Sequence, residues 1–193
     1  MAYFSSTSLL SLMQSLHNTD IGILKAIFEN RIPVFDPVFI FITNSAAAIA
    51  FGVPVILLLF SFQKKIIQLR HEAVSILIPV AISAILANML KYVFDTPRPY
   101  EVYSFIHKLS VGGSPSFPSG HTADAFSFAV AMILVYRKWL ITVPVLIWAS
   151  LVGYSRMYLG VHFPSDVLGG AFIGAACSYG YIYYAKRKYL KSQ

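Results

Sequence analysis

The stretch Pro118–Tyr136, PSGHTADAFSFAVAMILVY, decides how this chain folds. Its apolar part, Ala125–Tyr136, is too short to cross the roughly 30 Å hydrocarbon core of a bilayer, which takes about 20 residues of helix. The span becomes long enough only if the helix begins near Ser119 and carries His121 and Asp124 inside it. An ionisable group at that depth is costly, so it marks a functional or water-lined site. The plainer alternative is a buried helix that does not span.

Outward from this stretch, four further apolar runs approach or exceed spanning length: Val38–Phe62, Ala73–Leu90, Trp139–Ser155 and Val167–Ala185. With 57% hydrophobic and 12% charged residues among 193, and a mean hydropathy of +0.67, the composition is wrong for a soluble globule. The expected fold class is an all-α membrane protein of about five transmembrane helices. Charges at His17, Asp20, Lys25, Glu29 and Arg31 interrupt the first ~35 residues, so no span is expected there. Leu9, Leu12, Met13 and Leu16, then Ile23, Leu24, Ile27 and Phe28, recur at helical spacing and predict one or two amphipathic helices lying in the interface. The expected organisation is a single membrane-embedded domain over 1–193, with an interfacial segment 1–35 and a helical bundle 36–193. No basic n-region of a cleavable signal precedes these helices, so the N-terminus is expected to be retained. No period of roughly 20–50 residues marks a repeat architecture.

Five spans put the termini on opposite sides. One face then carries Lys64, Lys65, Arg70, Arg137, Lys138, Lys186, Arg187, Lys188 and Lys191, and the positive-inside rule makes it cytoplasmic. The formal net charge of +7 is thereby explained by loops and a tail that can meet anionic headgroups, and a nucleic-acid partner is not expected. Cys177 is the only cysteine, so no intrachain disulfide is possible; within the last apolar run it reads as a packing residue. Gly170 and Gly174 have GxxxG spacing and predict close packing within the bundle rather than dimerisation.

The opposite face gathers three polar clusters, because alternating spans bring Lys91, Ser119, Arg156 and Pro164 to one side. Lys91 and Arg98 flank prolines that stop a regular helix, so both cations can fold onto one anion, Arg as a planar fork and Lys as a point charge. Alone, they read first as interfacial anchors, the usual role of Lys and Arg at the end of a span. Pro118-Ser119-Gly120-His121 fits a helix start: Ser119 can cap, Gly120 lets a ligand approach the backbone, and the first free N–H groups can bind an anion. His121 in that first turn can deliver or remove a proton. Arg156 closes one span, His162 precedes the next, and Asp166 falls in its first turn because Pro164 suits the first helical position. Asp166 can hold one ring nitrogen of His162 and leave the other free to attack. Asp124 is either a modifier of His121, a substrate contact, or a packing group. The loop 95–118 is rich in Pro and Gly and is expected to be irregular; its Tyr100, Tyr103, His107 and Lys108 are candidate headgroup contacts.

In order and spacing, Lys91-x6-Arg98-Pro99, Pro118-Ser119-Gly120-His121 and Ser155-Arg156-x5-His162-x3-Asp166 resemble the three motifs of the type 2 phosphatidic acid phosphatase superfamily. The resemblance covers Lys91 to Asp166, and the remaining spans look like the membrane members of that family. It implies a lipid phosphatase with no metal or other cofactor. In it His162 attacks phosphorus to form a phosphohistidine, Asp166 orients His162, and His121 protonates the leaving oxygen and then activates water. Lys91, Arg98, Arg156, Ser119 and the N–H of Gly120 would hold the phosphate oxygens. The implied substrates are membrane lipid phosphates, namely undecaprenyl pyrophosphate, phosphatidylglycerol phosphate, phosphatidic acid or the 1-phosphate of lipid A. No obligatory protein partner is evident. The expected location is a bacterial-type cytoplasmic (inner) membrane, with the site on the periplasmic or extracytoplasmic face. A phosphotransferase using the same intermediate and a non-catalytic lipid-phosphate binding or transport protein are the alternatives, whereas the apolar spans argue against the family's soluble haloperoxidases.

Overall fold

The computed structural model describes residues 6–110, 112–113 and 115–191, among which every regular element is helical. In chain order these are α1 (Ser6–Glu29), a 3-10 turn at Pro33–Phe35, α2 (Asp36–Gln63), α3 (Ile67–Phe94), α4 (Pro99–Val102), α5 (Gly120–Tyr136), α6 (Trp139–Tyr158) and α7 (Pro164–Lys191). The segments Pro33–Gln63, Ile67–Val102 and Trp139–Tyr158 are each long and apolar enough to cross a membrane, and α5, at 17 residues, is a shorter apolar helix. Their outer faces carry large apolar side chains in the open: Phe41 is 76% exposed, Ile56 66% and Ile85 61%. Water would penalise such surface and lipid would not.

The helices outrun the apolar runs that predicted them. Because α3 runs on to Phe94, Lys91 lies within its last turn rather than at its end. Internal hydrogen bonding satisfies the backbone whether or not the side chain is apolar, so a helix continues past the hydrocarbon-like segment until a stop signal arrives. Here the stop is Asp95 in the left-handed region, at φ 41°.

The interior is built on α5, which packs against α2, α3, α6 and α7. Its contact with α7 is the most intimate. A Cβ on Gly170 would collide with Ser119 O, and one on Gly174 with Ala123 O and Ser127 N. Backbone therefore meets backbone at this crossing, as small residues in GxxxG spacing permit. Ser178 Oγ donates to Ser127 O at 2.7 Å and closes the same seam. Ala50, Ile76, Val80, Phe128, Ala131 and Ile182 form the apolar core at one end, and Ala46, Ala125, Ala129, Ala149 and Val152 fill the middle.

The N-terminal prediction resolves to one helix. Leu24 and Phe28 of α1 are buried against Ile106, with Tyr103, Phe105 and Phe163 around them, while Leu16 and Ile23 remain exposed. The side chains of Leu9, Leu12 and Met13 lie outside the described residues, as do those of Lys188 and Lys191. Asp20 anchors α1 to the start of α7: its carboxylate accepts from Ser165 N at 2.8 Å and from Ser165 Oγ at 2.7 Å. An acidic side chain from another helix thus satisfies a free first-turn N–H of α7. The loop 95–118 departs from expectation in one respect, since Pro99 opens the single-turn helix α4, with Glu101 accepting from Arg98 N at 2.8 Å.

Candidate active site

Helix ends supply the site. Lys91 comes from the last turn of α3, Arg98 from the N-cap of α4, His121 from the first turn of α5, Arg156 from the last turn of α6, and Asp166 from the first turn of α7, with His162 in the short link before it. Lys91, Arg98, Gly120, His121, Arg156 and His162 line one cavity of about 270 Å³, whose wall is completed by Asn88, Gly112, Gly113 and Asp124. All three clusters therefore converge, although 75 residues of chain separate Lys91 from Asp166.

His162 is 1% exposed, and its two ring nitrogens have different neighbours. Nδ1 lies 3.2 Å from Asp166 Oδ2, and Nε2 lies 3.3 Å from Arg98 Nη1. A guanidinium has only hydrogens to offer and an ionised carboxylate only lone pairs. The contacts therefore assign the proton to Nδ1 and the lone pair to Nε2, which is the tautomer a nucleophile needs. Burial pushes the imidazole well below its ordinary 6.5, and the cations Arg156, Arg98 and Lys91, with His121, push it the same way. The ring is thus kept neutral.

Asp166 Oδ2 is over-supplied with donors. Besides His162 Nδ1, it accepts from Ser116 Oγ at 2.5 Å and from Phe163 N at 2.8 Å. This fixes the carboxylate before it fixes the ring. The cations are fixed too: Arg98 Nη1 donates to Val161 O at 2.8 Å, Lys91 Nζ to Pro115 O at 2.7 Å, and Arg156 Nη1 to Thr43 Oγ1 at 2.6 Å. Arg156 is among the largest fully buried side chains. Orienting a charge in advance lets it act on developing anionic charge without reorganisation.

Two glycines shape the cavity in different ways. A Cβ at Gly120 would find only Lys91 Cε, at 4.0 Å, so the volume it would fill belongs to the cavity. At Gly112 a Cβ would lie 2.9 Å from Arg98 Nη1, so the residue lets the loop close on the guanidinium.

Several expectations are redirected. Ser119 stands at the N-cap of α5, but its hydroxyl pairs with Thr122 Oγ1 at 2.8 Å and makes no cap bond to the backbone. Buried completely, it supports the turn and leaves the cavity wall to Gly120. Tyr100 is absent from that wall; its hydroxyl donates to Gly112 O at 2.9 Å and holds the loop in place. Lys108 is exposed, with its ammonium 5.3 Å from the Tyr100 ring centroid, and does not line the cavity. Asp124 does line it. No motif or spacing points to Thr43, Ser116 or Gly112, which hold Arg156, Asp166 and the loop. Asn88 was legible in principle, since it stands three residues before Lys91 on the same helical face.

A family model described as the PAP2 superfamily matches residues 72–190. The undecaprenyl-diphosphatase of Sulfolobus acidocaldarius is 29% identical over 161 residues, covering 83% of this chain and 75% of that protein. Among solved structures, LpxE of Aquifex aeolicus superimposes with a TM-score of 0.73 at 30% identity, over 85% of this chain and 94% of that one. A transmembrane PAP2-type phosphatidylglycerolphosphate phosphatase of Bacillus subtilis gives a TM-score of 0.73 at 26% identity, over 90% and 87%.

Proposed function

We propose, on the premise that the chain belongs to the PAP2 superfamily, a residue-by-residue route by which it removes phosphate from a membrane lipid. The protein is a membrane lipid phosphatase, hydrolysing a phosphoric ester or diphosphate. The observation that carries the proposed route is the buried His162, whose Nε2 lies 3.3 Å from Arg98 Nη1 in the wall of a cavity that Lys91, Arg98 and Arg156 also line.

Nε2 of His162 attacks phosphorus while the bond to the leaving oxygen breaks, and His121 gives its proton to that oxygen. The phosphohistidine so formed carries positive charge on the ring, which Asp166 stabilises through Nδ1–H. The lipid product departs and water takes its place. His121 accepts a proton from the water, the water oxygen attacks phosphorus, and the P–N bond breaks to release inorganic phosphate and restore His162. Throughout, Lys91, Arg98, Arg156 and the N–H of Gly120 hold the phosphate oxygens, a positioning and charge role typical of phosphoryl transfer. The site is placed on the extracytoplasmic face of a cytoplasmic membrane, a reading supported by the basic loops at the other helix ends.

The test is phosphate release by purified protein from lipid phosphates in mixed micelles containing a chelator. Wild type should release inorganic phosphate, and His162→Ala should lose at least about three orders of magnitude in kcat. No release across phosphatidic acid, phosphatidylglycerol phosphate, undecaprenyl pyrophosphate and lipid A 1-phosphate would remove the reading. Equal activity of His162→Ala would remove the nucleophile.

A further inference from the structure

The catalytic cavity has two poles. Towards the loops it presents donors: Lys91, Arg98, Arg156 and the backbone of Gly120. One helical turn further into the bundle, beside His121, it presents Asp124 and Asn88. Asp124 follows His121 by three residues on α5, and Asn88 precedes Lys91 by three on α3, so each shares a face with a site residue.

Both side chains at this second pole offer acceptors. Asn88 Nδ2 donates one N–H to Ala84 O at 2.9 Å, which fixes the amide and leaves its oxygen open to a donor and its second N–H unused by that bond. Asp124 Oδ1 is buried without a hydrogen-bond partner in the protein. A buried carboxylate oxygen left bare is costly, so its presence at a ligand cavity points to a donor supplied by the ligand. The adjacent proton donor, His121, belongs to the leaving oxygen in the mechanism above. The group attached to that oxygen therefore lies nearest Asp124.

We propose that Asp124, with Asn88, is a specificity determinant that selects lipid phosphomonoesters whose leaving group carries hydroxyl or amide N–H donors close to the scissile oxygen. A leaving phosphate brings only acceptors and so leaves Asp124 Oδ1 without a donor, which disfavours diphosphates. This inference rests on the phosphatase reading and narrows it. Phosphatidylglycerol phosphate and lipid A 1-phosphate have such donors, undecaprenyl pyrophosphate has none, and phosphatidic acid is an uncharged-leaving-group control without them. The names of the related proteins span both classes and do not decide between them.

The experiment compares kcat/KM for phosphatidylglycerol phosphate, phosphatidic acid and undecaprenyl pyrophosphate in the same mixed micelles. Wild type should favour phosphatidylglycerol phosphate over the diphosphate by on the order of tenfold or more, the scale set by leaving a site's buried polar group unpaired. Asp124→Asn, which keeps the shape and replaces the carboxyl by an amide, should narrow that ratio by about tenfold, with an unchanged thermal inactivation temperature reporting an intact fold. Wild type acting on the diphosphate as well as or better than on phosphatidylglycerol phosphate would overturn the inference, whatever the variant does. An equal loss on all three lipids in Asp124→Asn would also overturn it, since the residue would then serve His121 in general. No release from any of them by wild type would remove the phosphatase reading and this one with it.

Discussion

At Asp166 a single oxygen, Oδ2, meets three donors, from Ser116, Phe163 and His162. Only the last belongs to the reaction, and the other two decide where the carboxylate stands. Ser116→Ala should therefore lower kcat by about tenfold or more with little change in KM, because it loosens orientation and leaves the phosphate clamp intact. Steady-state kinetics with Ser116→Thr as the rescue would check this; an unchanged kcat in Ser116→Ala, or a loss that threonine fails to restore, would contradict it. His162 offers a direct titration. Its folded value lies below 6.5, so between that value and 6.5 the unfolded chain binds a proton that the folded chain does not. Stability is thus lost as the pH falls through this window, while above 6.5 the group contributes no pH dependence. Imidazole nitrogen NMR of the free enzyme should show Nδ1 protonated and Nε2 bare near neutral pH, with a midpoint under 6.5. A midpoint at or above 6.5 would contradict the electrostatic reading.

At the scale of elements, the chemistry depends on α5 and α7 crossing at backbone distance, since one carries His121 and the other Asp166. Gly174→Val places two methyl-bearing branches where even a Cβ meets Ala123 O, so the helices must separate. Overpacking of this kind costs about 1–3 kcal/mol or more, and here it also displaces the site. The expected result is a lower thermal inactivation temperature together with a fall in kcat. Gly22→Ala, on α1 where a Cβ meets nothing within 4 Å and alanine favours the helix, should lower neither. Close packing at Gly170 and Gly174 was legible from their spacing, but that the partner is α5 was not. Legible too were the motif residues, whose order along the chain encodes alternating helix ends. What was not legible are the supports that reach across the fold: Thr43 lies 113 residues from the Arg156 it holds, and Asp20 lies 145 from Ser165. Threonine in an apolar helix and aspartate on an amphipathic one have many possible uses, and only the packing of α2 against α6, and of α1 against α7, selects these. Ser119 shows the reverse case, where a good local cap signal yields to a buried partner, Thr122.

For the whole molecule, the helix ends divide the charge. The cavity sits where α3 and α6 finish and α5 and α7 begin, whereas Lys64, Lys65, Arg70, Arg137, Lys138, Lys186 and Arg187 stand at the other ends of these helices and of α2. Lysine and arginine in short loops beside spans are retained on the cytoplasmic side, so this asymmetry predicts a cavity open to the outside. Such an orientation also suits the reaction. The reacting phosphate sits at the headgroup level of one leaflet, and cleaving it there leaves the apolar tail in the bilayer while phosphate escapes to water. Cysteine labelling tests the prediction without reference to activity. In a Cys177→Ser background, single cysteines at Glu101, an exposed residue of α4, and at Lys138, the exposed residue before α6, report the two ends. A membrane-impermeant maleimide applied to intact cells should modify the position 101 cysteine and spare the one at 138 until the membrane is opened. The opposite pattern would invert the molecule in the membrane, and labelling of both in sealed cells would mean that the two helix ends do not lie on opposite sides of one bilayer.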